Sequence, residues 1–464
     1  MKNMRYKSIS VLVICCMIFC FMFFTSQEAT AYTTPEYIKV GLRYGSTAVE
    51  SCKISSETGF KLGNITSEGF EETLPLPAYT ELIAGVENDH VVLKDPDGVL
   101  ISSDIGINGC LMPTDYQEDG LIAFESNKFR GGLMLSVDKN NKLKVINYLT
   151  LDEYLYGVLH MEMSQSYPIE ALKAQAVAAR SFAVQSIGRH SADGFDVCTS
   201  THCQVYGGYR AEYPRTCQAV DETSGLLVWS QGKPVPTFYC KNSGGHTQNV
   251  EDVWSQPMSY LIGKPDPYSP DYPWSTTITF DVLEKKLSKA GYNSRPIQYV
   301  KIGGRNSSGA VSKLLIVGNQ STVTLEKEKI RNVLGATVVK STHFNIESDK
   351  IEPEIPSSKV DLNLSNGNRN RDAGETVYVL SAGNNLETYN TADIYLSNGS
   401  RTVKARVIPA SDSGDSNNIG KVIITGKGCG HGVGMAQDGA IEMAKQGFTF
   451  KEILQFYFTD IEVR

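Results

Sequence analysis

The sequence has no run or stripe of lysine and arginine. Its 44 basic residues are outnumbered by 51 acidic ones, for a net charge of -7, which excludes a polyphosphate backbone such as nucleic acid as the main ligand. No glycine-rich loop ends in Lys-Ser/Thr, so nucleotide binding is disfavoured, and no C-x-x-C pair of the zinc-ribbon kind occurs. Beyond the N-terminus no apolar stretch approaches the roughly 20 residues of a membrane-spanning helix. An even cysteine framework is also missing. Ten cysteines occur, Cys15, Cys16 and Cys20 lie in the apolar N-terminal run, and the remaining seven cannot all pair. What is present is length and apolar content, 464 residues at 41% hydrophobic, enough to bury a core and to exclude wholesale disorder.

Lys2, Arg5 and Lys7 precede an apolar run from Ile9 to Phe24, and Ala29-Thr30-Ala31 offers the small residues a signal peptidase reads. Residues 1–31 therefore read as an export signal, with an N-terminal membrane anchor as the alternative. Either places the working part outside the cytoplasm, in the cell wall or on the outer face of the membrane. Removing residues 1–31 takes away three basic side chains and one acidic one, leaving a net charge of -9.

From Tyr37 to about Tyr148, short strand-like runs alternate with Gly, Asn and Asp turns. Thr150 and Glu153 then form a Thr-x-x-Glu capping box, followed by Leu151, Leu155 and Val158 at helical period. Pro168 and Glu170 open a second helix running to about Ser186, whose alanines imply close packing. Strands and turns return over Leu226 to Cys240 and Thr276 to Phe344, with a short helix around Val282 to Ala290. Residues 347–420, opened by Pro353-Glu354-Ile355-Pro356 and rich in Asn, Ser, Asp and Gly, read as a mostly β or irregular inserted lobe with islands such as Val377 to Ser381. The tail predicts a strand at Val422 to Thr425, a helix from about Met435 to Gln446, and a last helix capped by Thr449 and Glu452. The expected fold class is α+β, a β-rich body (residues 32–346 and 421–464) with a few helices lining a cleft.

Glu162 is the first candidate for chemistry. It follows Val158 by four residues and Leu155 by seven, so it falls on the apolar face of its helix between Met161 and Met163, where desolvation favours the neutral acid a general acid needs. An ordinary solvated glutamate beyond a frayed helix end is the alternative. Lys173 and Arg180, seven apart on the second helix, could hold polar substrate groups or form a plain solvated face. His190, Cys198, His202 and Cys203 combine soft sulfur with borderline nitrogen, the set zinc prefers, while a Cys198–Cys203 disulfide competes. Two Gly-His turns, Ser243-Gly244-Gly245-His246-Thr247 and Gly428-Cys429-Gly430-His431-Gly432, suggest close backbone approach and a shared cleft. Trp254, Tyr260, Tyr268 and Trp274 could stack on sugar rings or pack under their loop.

Taken in order, Glu162-Met163, the segment Pro168 to Arg180, Gln204-Val205-Tyr206, Ser243 to Thr247 and His431-Gly432-Val433-Gly434-Met435-Ala436-Gln437 resemble the stage II sporulation protein D family of peptidoglycan lytic transglycosylases, whose relatives include amidase enhancers. The resemblance covers roughly Tyr37 to Ile346 and Val422 to Val463, and Ser164 stands where the family usually has proline. It implies one catalytic body in which Glu162 acts alone as acid and then base. It also implies Lys173, Arg180, Ser243, Tyr260 and His431 as glycan-binding positions, and His190, Cys198, His202 and Cys203 as ligands of a structural Zn2+, with no organic cofactor. The implied partners are peptidoglycan glycan strands, a cell-wall amidase and other engulfment proteins. A non-catalytic amidase activator and a zinc-dependent hydrolase are the other functions the sequence allows.

Overall fold

The computed structural model describes residues 32–350 and 420–464 apart from 119, 255 and 320, together with short strands between 362 and 404. The export signal or anchor expected at residues 1–31 lies outside the described residues. Among the described residues the fold is mixed α+β, with many strands in several sheets and eight α-helices. The chain separates into two compact units, one comprising residues up to Thr237 together with Ile461–Arg464 and the other Phe238–Asp460.

In the first unit a seven-stranded sheet runs Val197–Cys198, Tyr37–Arg43, Leu143–Thr150, Gly132–Val137, Gly109–Pro113, Phe60–Thr66, Gly69–Leu76. A six-stranded sheet holds the hairpins between Ser51 and Phe129. Inward positions such as Val40, Leu133, Leu135, Val145 and Leu149 are wholly buried. The capping box forms as the sequence predicts. Thr150 and Glu153 exchange side-chain and backbone hydrogen bonds, starting α1 (Leu151–Glu162) at the end of its strand. Leu151, Leu155, Val158 and Leu159 are buried. α2 (Ile169–Gln185) is buried nearly all round, and its many alanines let neighbours approach that closely. α3 (Pro214–Asp221) was not anticipated, although Pro214 at the first helical position is a start signal.

In the second unit, Pro273–Thr279, Lys421–Lys427 and Phe344–Ser348 form one sheet, and Ile297–Arg305, Val311–Gly318 and Thr322–Glu326 form a meander. Helix Phe280–Lys289, capped by Thr279, packs Phe280, Leu283 and Leu287 into their shared core. Phe344–Ser348 and Lys421–Lys427 are antiparallel neighbours with Ser348 opposite Val422. The segment joining them therefore leaves and returns at adjacent points of the sheet. Within it three two-stranded pairs form, at 362–370, 378–388 and 395–404, which explains the strand-like island near Val377. The last two helices, Gln437–Lys445 and Phe450–Tyr457, follow, the latter with the Thr449–Glu452 capping box.

Candidate functional site: a helix-ending glutamate and a Cys/His cluster

Glu162 is the last residue of α1, so the helix does not fray before it. The carboxyl is half-buried, between an exposed Met161 (45% accessible) and a buried Met163. The expected methionine enclosure is thus one-sided, because Met161 turns outward as the helix ends. A helix C-terminus gathers partial negative charge from its free carbonyls and is an unfavourable place for a carboxylate. The loop that follows is held by Arg215, whose Nε donates to the Gln165 carbonyl at 3.0 Å and whose Nη2 donates to that of Tyr167 at 3.2 Å. Ser164 bonds Ser166 in the same turn at 3.0 Å. The Gln-Val-Tyr motif supports α1 from below. Tyr154 OH donates to Gln204 Oε1 at 3.2 Å, Gln204 Nε2 donates to the Ala179 carbonyl at 3.3 Å, and Tyr206 OH donates to Asn147 Oδ1 at 2.8 Å. Gly157 makes this possible, since a Cβ there would lie 2.4 Å from the Tyr206 ring.

The Cys/His cluster is assembled by local packing. Gly41 lacks the Cβ that would strike Phe195 at 2.7 Å, so the Phe195 ring lies on that strand and His190 stacks on it at 4.7 Å. Val197–Cys198 pairs in parallel with the same strand, and a turn closed by Cys203 N–H to the Ser200 carbonyl brings His202 and Cys203 back. The four ligand atoms lie within 4.8 Å of one another. Cys203 Sγ is 3.4 Å from His190 Nε2 and 3.5 Å from His202 Nδ1, and Cys198 Sγ is 3.8 Å from His202 Nδ1. A tetrahedral ion with S and N bonds of about 2.3 and 2.0–2.1 Å needs S···N edges of about 3.6 Å, so the residues present fit a metal. Burial raises the Cys198 thiol pKa, but hydrogen bonds from Ser200 and His202 outweigh it and bring the group down to about 6. All seven described cysteines are free, Cys198 and Cys203 included.

Two residues read from spacing as facing a ligand have internal partners. Arg180 does not share a solvated face with Lys173. Its side chain is 1% accessible and pairs with Asp152 from the first turn of α1 at 2.9 Å. It also donates to the carbonyls of Val220 (3.1 Å) and Thr223 (2.7 Å), capping the C-terminal end of α3. Lys173 is half-buried between Glu170 at 3.0 Å and Glu222 at 2.7 Å, tying α2 to α3.

In the second unit the two Gly-His turns meet. Asn242 and Cys429 exchange backbone hydrogen bonds, and Gln248 donates from its backbone to the Gly432 carbonyl (2.7 Å) and from Nε2 to the His431 carbonyl (2.8 Å). Gly434, at φ 72°, sits where a Cβ would lie 2.2 Å from the Phe238 carbonyl. His431 Nδ1 accepts from Val433 N–H at 3.0 Å. Burial and then the Arg331 charge push it down to about 4, against a backbone hydrogen bond at Tyr239, so it is a neutral ring packed 4.8 Å from Trp254. Ser243 is buried and donates to Asp266 Oδ2 at 2.8 Å. Asp266 also accepts from Tyr457 OH and from Tyr268 and Ser269 N–H, while its desolvation raises its pKa. The sequence carries no local signal of this knot, because Ser243 and Tyr457 are far from Asp266 along the chain. Tyr260 and Trp274 are buried in packing, Tyr268 is half-buried, and Trp254 remains 38% accessible.

The fold and site thus define an α+β protein with a metal-competent Cys/His cluster and a helix-terminal glutamate in one unit and interlocked Gly-His turns in the other. Residues 139–229, which hold both Glu162 and the cluster, match the family model of the Stage II sporulation protein, and residues 247–360 match a domain of unknown function. An uncharacterized protein of Brachyspira hyodysenteriae is 28% identical over 83% of this chain and 84% of its own length. The amidase enhancer of Bacillus subtilis is 28% identical over 66% of this chain, which covers 39% of that relative. The Stage II sporulation protein D of Bacillus subtilis is 25% identical over 68% of this chain and 75% of its own length. These are likenesses, and the sporulation-protein model matches residues 139–229 alone. No helix among the described residues is long and apolar enough to cross a membrane.

Proposed function

We propose that the protein is an exported lytic transglycosylase that cleaves the bond between N-acetylmuramic acid and N-acetylglucosamine in peptidoglycan, in cell-wall remodelling during sporulation. The observation that carries this reading is Glu162, a half-buried carboxyl ending α1 inside the segment that matches the Stage II sporulation protein model. Most glycosidases use two carboxyl groups, but one suffices here. Neutral Glu162 gives its proton to the bridging oxygen as the bond to muramyl C1 breaks. The resulting carboxylate takes the proton of the muramyl C6 hydroxyl, whose oxygen closes on C1. The product is a 1,6-anhydro sugar, no water is consumed, and Glu162 ends protonated as it began. Arg215 acts through the loop it holds and is a positioning residue. His190, Cys198, His202 and Cys203 would hold Zn2+; four protein ligands close the ion off, so it supplies structure to the first unit.

Incubation with purified glycan strands followed by mass spectrometry tests the reaction. Anhydro-muramyl ends are expected from the wild type and at least about 100-fold fewer from Glu162→Gln with unchanged folding; hydrated reducing ends would refute the reaction. The similarity to an amidase enhancer favours a second reading, activation of a cell-wall amidase without chemistry of its own. A protein inert on glycan that accelerates such an amidase would establish it.

A further inference from the structure

A cavity of about 330 Å³ opens in the second unit where the end of strand Ile297–Arg305 meets Phe344–Ser348 and Lys421–Lys427. Among the described residues it is lined by Arg305, His343, Phe344, Asn345, Thr425 and Lys427, together with glycines, none of them acidic. Its volume is at the small end of ligand sites, room for a single sugar or acid group. The Arg305 head group is held in place. Arg305 donates through Nη1 to the Gly309 carbonyl at 2.8 Å and through Nη2 to the Phe344 carbonyl at 2.9 Å and Asn345 Oδ1 at 2.6 Å. These bonds fix the guanidinium and leave two of its five donors. Neither Arg305 nor Lys427 belongs to an ion pair among the described residues. Gly426 keeps the wall thin, for a Cβ there would lie 2.3 Å from the Trp274 ring. Behind this wall the Trp274 Nε1–H is buried without a hydrogen-bond partner among the described residues. Burial first, then the charges of Lys427 and Arg305 among others, holds His343 neutral, down to about 4. Two cations outside any ion pair, with no carboxylate among the described lining residues to balance them, is the chemistry of an anion site.

We propose that this cavity binds a carboxylate of the cell-wall polymer, the lactyl carboxylate of a muramyl residue whose stem peptide has been removed, and so makes the second unit a reader of the strand. The inference rests on the peptidoglycan reading above for its ligand. It assigns a role to residues within and beside the segment that matches a domain of unknown function.

The test titrates the full chain with the disaccharide N-acetylglucosaminyl-N-acetylmuramic acid, which lacks the bond the enzyme would cut, and reads binding by calorimetry. Neutral diacetylchitobiose and a stem pentapeptide are the parallel arms. Arg305 and Lys427 are exposed, so Arg305→Gln/Lys427→Gln should fold normally. The expected result is binding by the acidic disaccharide that weakens with added salt and falls at least about tenfold in the double variant, the scale of one lost charge-assisted contact. Chitobiose should not compete. Binding by the pentapeptide instead, lost in the same variant, upholds the carboxylate chemistry and moves its source to the stem. Equal binding of chitobiose, unchanged binding in the double variant, or no binding of either acid overturns the proposal. Anhydro products from a protein whose double variant binds normally would sink the cavity assignment alone. Carboxylate binding without anhydro products would sink the reaction alone.

Discussion

Asp152→Asn should destabilise the first unit by about 3 kcal/mol. The substitution keeps the shape and an acceptor oxygen but removes the charge facing Arg180. The guanidinium is 1% accessible and donates twice to Asp152 Oδ1, from Nε at 3.1 Å and from Nη2 at 2.9 Å. Its other bonds go to neutral carbonyls of Val220 and Thr223. Breaking a buried pair by removing one partner costs about 3–5 kcal/mol, because the remaining charge is left uncompensated. Asp152 is 28% accessible, so water replaces part of the lost interaction and the lower end applies. At about 2–4 °C per kcal/mol for a unit of this size, the thermal midpoint of the first unit should fall by about 6–12 °C, followed by circular dichroism. Arg180→Lys should fall similarly, since one ammonium cannot serve both Asp152 and the end of α3. If Arg180→Lys kept its midpoint and lost glycan affinity instead, the internal role would be refuted and the ligand role restored.

Purified protein should carry close to one zinc per chain by elemental analysis, and a chelator should lower the midpoint of the first unit. Saturation at 1,000 times Kd corresponds to about 4 kcal/mol, so metal-free protein with an unchanged midpoint would exclude a structural ion. Acid should weaken the second unit through His343. Its folded pKa of about 4 lies below the ordinary 6.5, so the unfolded chain binds the proton first. Stability is full above that ordinary value and is lost as pH falls through the window, by about 3 kcal/mol. His431, also lowered to about 4 by burial, adds a slope of the same sign, so urea unfolding of His343→Gln at the two ends of the window should lose about 3 kcal/mol of the pH dependence and keep the rest; a slope identical to the wild type's would refute the role of His343.

Much of the local structure was legible because its causes are local. The Thr150–Glu153 and Thr449–Glu452 boxes start helices where their side chains can reach their own backbone. The four Cys/His positions form a metal-competent cluster because His190 and Cys203 are only thirteen positions apart, few enough for one turn to bring them together. Arg180 could not be read in the same way. A seven-residue spacing from Lys173 describes a helical face, whereas its fate depends on Asp152, Val220 and Thr223 arriving from two other helices. The burial of Tyr260 and Trp274 could not be read from sequence for a related reason, since aromatic rings in a Pro-rich loop are covered or exposed according to what packs beneath them.

By itself, then, the sequence determined the α+β class, the capped helices and the glutamate at the end of α1, and it marked out the four Cys/His positions, all consequences of periodicity or short-range chemistry. The tertiary structure alone decided which charges are internal. It buried Arg180 against Asp152, tied Ser243 and Tyr457 to Asp266, and set Arg305 and Lys427 beside His343 with no carboxylate among the described lining residues. Such choices depend on residues brought together from distant parts of the chain, where desolvation sets the energy of a charge and only the fold determines which partner is there to offset it.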